Sequence, residues 1–168
     1  YKEIFDEYAI IEPSLIEEDY ESFETKVQAP QIPTILVLDP EHEEGMNLSN
    51  ADAIVHFDLT FDVSKLEQRI GRVDRFGRKK FPAKHRLIIP TGAESSFWSA
   101  WTDVLIDGFQ IFNRSVNDVQ YLNSEIVDEF FVHIFEHGTH DINQFISRTL
   151  DLIETARHEQ DEESALDN

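Results

Sequence analysis

Between Lys65 and Arg78 the chain reads Lys-Leu-Glu-Gln-Arg-Ile-Gly-Arg-Val-Asp-Arg-Phe-Gly-Arg, which spaces Gln68, Gly71, Arg72 and Arg75 as Gln-x-x-Gly-Arg-x-x-Arg. A guanidinium is planar, permanently charged and able to engage phosphate oxygens in pairs, so arginines sharing one face suit a phosphoryl group or another oxyanion. At about 100° per residue, Leu66, Ile70 and Val73 fall within about 60° of one another, while Gln68, Arg72 and Arg75 gather on the opposite side. One face packs; the other presents a glutamine and two guanidiniums. The competing reading is a solvated arginine face with Gly71 as a packing contact. An interior glycine costs about 1 kcal/mol relative to alanine, so it needs some such reason.

The elements that must hold these residues are legible around them. Ser64-x-x-Glu67 has the form of a capping box and Gly77 stands where a helix stops, which predicts a short helix over Ser64–Phe76. Thr34–Leu38, Ala53–Phe57 and Leu87–Ile89 are brief, continuous apolar runs, the pattern of strands buried on both faces of a parallel sheet. Strand, helix and strand then make a β-α-β unit, whose ligands gather at the carboxyl ends of the strands. The loops Asp39–Asn50 and Asp58–Ser64 leave from those ends. In the first, Gly45 permits backbone that other residues avoid, and the Asn47 amide can donate to and accept from a ribose, a phosphate or a neighbouring loop. Taken alone, Gly-x-Asn is a turn as readily as a site.

The flanks differ in character. Nine acids precede Thr25, and helical spacing over Glu17–Glu24 predicts a helix covering the sheet, followed by an extended Pro30–Pro33 lead-in. After Gly92, the residues Trp98, Trp101, Leu105, Phe109 and Phe112 form a wide aromatic helix face, a core rather than a cofactor box. Two further helices are expected over Val119–Glu136 and Ile142–Gln160, separated by Gly138. The expected domains are 1–92 (α/β), 93–160 (α-helical appendage) and 161–168 (an acidic, flexible tail). His133, His137 and His140 invite a zinc reading, but no His-Glu-x-x-His is present and the predicted metal site is none. Ser95 and Ser96 read as cap residues, not nucleophiles.

The chain has 168 residues, 40% of them hydrophobic, which is enough for a core, and no cysteine. Disulfide frameworks and thiolate zinc sites are thereby excluded. Neither a leader nor a membrane span is expected, and the start at Tyr1 reads as a piece of a longer intracellular, cytoplasmic chain. The formal charge of −20 argues at first against nucleic acid, yet nine of the fourteen basic residues lie between Lys65 and Arg86 with only Glu67 and Asp74 opposing them, a local +7. That island could bind phosphates of a nucleotide or of a nucleic-acid backbone, or be a basic surface paired with acidic flanks.

The segment Leu66–Gly77 resembles motif VI of the superfamily-two helicases, specifically the Swi/Snf-related translocases and their bacterial RapA-like branch. Gly45, Asn47 and Leu48, followed by a strand ending in Phe57-Asp58-Leu59, resemble motif V of the same family, in the family's order. Glu43 and Glu44 depart from the small residues common before that glycine. The resemblance implies an α/β, parallel-sheet RecA-like lobe of the P-loop NTPase type, the second motor lobe, followed by helices. It implies Arg72 and Arg75 as arginine fingers toward ATP, with Gln68, Gly45, Asn47 and Gly71 at the nucleotide and Asn47, Leu48 and Ser49 near nucleic acid. ATP and magnesium would be held mainly by a first lobe of the same parent chain, because none of the six glycines is followed by Lys and no Walker A loop is present. The implied partners are that lobe, nucleic acid in the form of double-stranded DNA, and a protein partner such as a transcription or defence complex; no membrane is implied. The fragment alone is expected to be inactive. A rival within the class is an unwinding helicase; a rival outside it is a non-catalytic helicase-like module that binds nucleic acid or a protein.

Overall fold

In a computed structural model of the chain, residues 9–11, 32–39, 46–74, 83–90 and 96–166 are described. The helix expected over Glu17–Glu24, and Gly45, Arg75, Phe76, Gly77 and Ser95, lie outside these residues. Packing divides the chain into two units, one made of residues 1–54 and 69–84, the other of 55–68 and 85–168.

In the first unit, β1 (Ala9–Ile11) pairs in parallel with β2 (Thr34–Leu36), with Ala9 opposite Thr34 and Ile11 opposite Leu36. The strand at Thr34 is where its apolar run predicts it, two residues shorter. Its partner β1 is unanticipated, for three apolar residues ahead of Glu12-Pro13 carry no period of their own. Burial on both faces does not hold: β2 is half-buried throughout and Ile10 is 50% exposed.

A second two-stranded sheet joins β3 (Ala53–His56) and β4 (Lys84–Leu87). The Lys84 N–H donates to the Asp52 carbonyl and the Ile88 N–H to the His56 carbonyl, both at 3.1 Å. The partners advance in the same direction, so this pair is parallel too. β4 starts three residues before the expected Leu87–Ile89 run because it alternates: Lys84 and Arg86 are exposed, His85 and Leu87 half-buried. A search for continuous apolar residues passes over a strand with one wet face. β3 also shows that wet side, with Val55 57% exposed.

The crossover helix α1 runs over Val63–Val73. Val63, Leu66 and Val73 are buried, Ile70 half-buried and Gln68 exposed, as the periodicity predicts. The cap is not Ser64. Asp62 Oδ1 accepts the Lys65 N–H at 3.0 Å, and the Asp62 carbonyl accepts the Leu66 N–H at 3.1 Å. The apolar period begins at Val63, so the capping residue must precede it.

The second unit is mostly helical. α2 (Phe97–Asp103) is capped by Ser96, whose Oγ accepts the Ser99 N–H at 3.1 Å, and it continues into a π-helical turn over Val104–Gly108. A 3-10 segment (Asn117–Leu122) leads to α3 (Asn123–His137), and α4 (Ile142–Leu166) ends the fold, six residues past the expected Gln160. Gly138, at φ 64°, stops α3 in the left-handed region open to glycine. Trp101, Leu105, Phe109 and Phe130 are fully buried, and Trp101 lies 5.0 Å from Phe130 between ring centroids. α4 crosses the π-helical turn at Gly108, where a Cβ would stand 3.2 Å from Thr149 Cγ2. Trp98, on the expected aromatic face, stays 37% exposed, stacked on Phe61. His56 is buried, its Nε2 3.2 Å from His85 Nδ1, and Phe112 packs against both rings. No helix of the described residues is long and apolar enough to cross a membrane.

Candidate functional site

In the first unit, the loop after β2 and the end of α1 are tied together. The last carbonyls of a helix have no partner within it. Here the Leu48 N–H reaches the Arg72 carbonyl at 3.2 Å. Asn47 Oδ1 accepts the Ser49 N–H at 3.2 Å, an Asx turn, and the Ala51 N–H closes on the Leu48 carbonyl at 2.9 Å. One amide oxygen therefore shapes the turn. Just past the helix end, Asp74 Oδ1 accepts the Ala83 N–H at 3.0 Å. Asn47, Leu48 and Ser49 are thus brought to Arg72.

Arg72 is half-buried and its Nη1 is shielded from solvent with no hydrogen-bond partner among the described residues. A shielded guanidinium nitrogen in that state has lost water without replacing it, which calls for an explanation. Its neighbour Gly71 is exposed, and a Cβ added there would meet nothing within 4 Å. The packing-contact reading of Gly71 therefore finds no atom to pack against among the described residues. Arg69, by contrast, is buried and bonded. It flanks the apolar face, about 60° from Leu66 on the helix.

Gln68 belongs to the second unit and is exposed. Beside it, the two residues expected to cap the helix reach across the sequence instead. Ser64 Oγ accepts the side-chain amides of Gln120 at 2.9 Å and Asn123 at 3.2 Å. Glu67 Oε1 accepts the Ser115 hydroxyl and, at 3.0 Å, the Val116 N–H. The Trp101 indole N–H donates to the Thr60 carbonyl at 3.2 Å, just ahead of the helix. Sequence reasoning missed this role for Ser64 and Glu67. The signal for it was the competing cap at Asp62, which freed both for other partners.

His133 Nε2 donates to the His140 carbonyl at 3.0 Å and ties α3 to the turn after it. Among the described residues, no group of three His, Asp or Glu side chains could hold a metal ion. Burial, and then the neighbouring Asp107 carboxylate, raise the Asp103 carboxyl above its ordinary value of 3.8.

Residues 8–77 match the helicase conserved C-terminal domain. RapA of Vibrio campbellii, named as an RNA polymerase-associated protein, is 46% identical over 46 residues, covering 27% of this chain and 5% of the relative. A Bacillus subtilis protein named as a candidate ATP-dependent helicase/translocase, YwqA, is 24% identical over 122 residues, covering 70% of this chain and 13% of its own length. A second Bacillus subtilis protein, the uncharacterized ATP-dependent helicase YqhH, is 25% identical over 108 residues, covering 64% and 18%. The matches thus span between about a twentieth and a fifth of these relatives. No solved structure matches the chain significantly.

Parallel strands joined through α1, the matched domain and the Gln-x-x-Gly-Arg segment define an α/β RecA-like helicase lobe followed by helices. Over residues 8–77 the chain is similar to the C-terminal lobe of superfamily-two helicases, and over 46 residues to the RapA proteins.

Proposed function

We propose that this chain is the second motor lobe of an ATP-dependent, Swi/Snf-type nucleic-acid translocase. The observation that carries the reading is Arg72: a permanently charged group withdrawn from water at Nη1, with no hydrogen-bond partner for that nitrogen among the described residues, on a residue whose backbone carbonyl accepts the Leu48 N–H. Such a group fits an oxyanion brought from outside the chain. In the reading, a first RecA-like lobe of the same polypeptide holds ATP and magnesium, and ATP supplies the phosphoryl group whose loss drives movement. Arg72 and Arg75 place charge at that group, Gln68, Gly71 and the Gly45–Asn47 loop line its approach, and Asn47, Leu48 and Ser49 face nucleic acid. Double-stranded DNA is the proposed track. Because one relative's name joins it to RNA polymerase, the proposed protein partner is a transcription complex, and the proposed location is intracellular.

The test is ATP turnover by the full-length protein, with and without duplex DNA, for wild type and Arg72→Ala. Loss of an arginine finger costs on the order of 10³–10⁵ in rate. DNA-stimulated turnover that collapses in a folded Arg72→Ala protein supports the assignment. Turnover that is absent, or unchanged by the substitution, makes the helix a binding surface and the chain a non-catalytic helicase-like module.

A further inference from the structure

α1 is held on two sides that differ in kind. Val63, Leu66 and Val73 bury one face. Ser64 and Glu67, about 100–160° around the helix from Leu66, make the four hydrogen bonds to Ser115, Val116, Gln120 and Asn123. That flank adjoins the side carrying Gln68 and Arg72. A helix packed on one apolar stripe can roll; one also bonded on its flank cannot.

The segment that holds Glu67 is itself gripped by the last helix. Arg157 Nη2 donates to the Ser115 carbonyl at 2.6 Å and Nε to Asp118 Oδ2 at 3.0 Å. Gln160 Nε2 donates to the Asp118 carbonyl at 2.7 Å, and Arg114 pairs with Glu154 at 2.6 Å. The Arg157 side chain is 14% exposed and its partner Asp118 42%, so their ion pair is partly sheltered from the screening that weakens surface pairs.

We propose that Glu67 is a positioning residue, and that the Arg157–Ser115–Glu67 chain fixes the roll of α1, on which turnover depends. This rests on the motor-lobe reading above. A roll of 10° moves a group about 6 Å from the helix axis by about 1 Å, and a misplacement of that size can cost about 100-fold in rate.

The experiment measures DNA-stimulated ATP turnover by the full-length protein for wild type, Arg72→Ala, Glu67→Ala and Glu67→Gln, with thermal melts alongside. Glu67→Ala should lower kcat about 10- to 100-fold while KM for ATP moves less than about threefold. Glu67→Gln keeps an oxygen that accepts both donors, so it should restore turnover. If Glu67→Ala does not fold, Ser115→Ala removes one donor, leaves the Val116 N–H, and should lower kcat severalfold at an unchanged melting temperature. Wild-type kcat in folded Glu67→Ala or in Ser115→Ala, or equal damage in Glu67→Gln, overturns the inference. Wild type without DNA-stimulated turnover, or an unaffected Arg72→Ala, overturns the motor reading instead.

Discussion

Phe130 and Phe135 share the helix α3 and a residue type, yet the first is fully buried and the second 93% exposed. Phe130 lies among Phe97 at 5.5 Å, Trp101 at 5.0 Å and Phe145 at 5.9 Å between ring centroids. Phe130→Ala removes a ring from the centre of this cluster and leaves a cavity that helices on three sides cannot all close. The cost is about 3–5 kcal/mol. Phe135→Ala deletes a ring already in water and should fall within about 0.5 kcal/mol of wild type. For a unit of this size each kcal/mol moves the midpoint by about 4–8 °C, so Phe130→Ala should drop it by more than about 10 °C while Phe135→Ala barely moves it. The chain has two tryptophans, and both Trp98 and Trp101 lie in the second unit, so their fluorescence follows that unit alone through a urea or thermal titration. Circular dichroism at 222 nm should show the same ordering. Equal losses from the two substitutions would refute the packing argument, and a large loss from Phe135→Ala alone would mean that this face is covered in solution.

The parts of the fold that the sequence spelled out are those set by local period. Leu66 and Val73 on one face of α1, Gln68 on the other, and Gly138 as the stop between α3 and α4 all follow from neighbours three or four residues away. What could not be read depends on partners far along the chain. Ser64 and Glu67 matched a capping box, but their actual partners lie 48 to 59 residues away. β1 acquires its identity only from pairing with β2, and β4 from a one-sided burial that its Lys-His-Arg run conceals. At the candidate site, the residue types and their order were visible in advance, whereas the link from Leu48 to Arg72 and the unpaired Nη1 needed coordinates.

Asp103 gives a pH test. Its folded-state pKa is raised, so in the window above 3.8 the folded form holds the proton more tightly than the unfolded chain does. Stability should therefore fall as pH rises through that window. Asp103→Asn should accordingly melt higher than wild type at pH 7 and show no such gain below pH 3.8; a gain equal at both would exclude the charge as its cause. Two glycines make a paired test. Gly108→Ala would place a methyl 3.2 Å from Thr149 Cγ2, and because Thr149 is itself buried and held by its surroundings, the crowding should cost up to about 1–3 kcal/mol, read as an earlier tryptophan transition; an unshifted or later transition would show that Thr149 gives way. Gly71→Ala meets nothing within 4 Å among the described residues and lies inside a helix, where alanine is favoured by about 0.8–1.0 kcal/mol. Hydrogen exchange of the α1 amides should slow. If the open space in front of Gly71 is where nucleotide or the other lobe approaches, the same substitution should lower ATP turnover in the full-length protein, so stability and activity move in opposite directions. A simple loss of folding cannot produce that pairing. Unchanged turnover with slower exchange would remove Gly71 from the approach surface and leave Arg72 to stand without it.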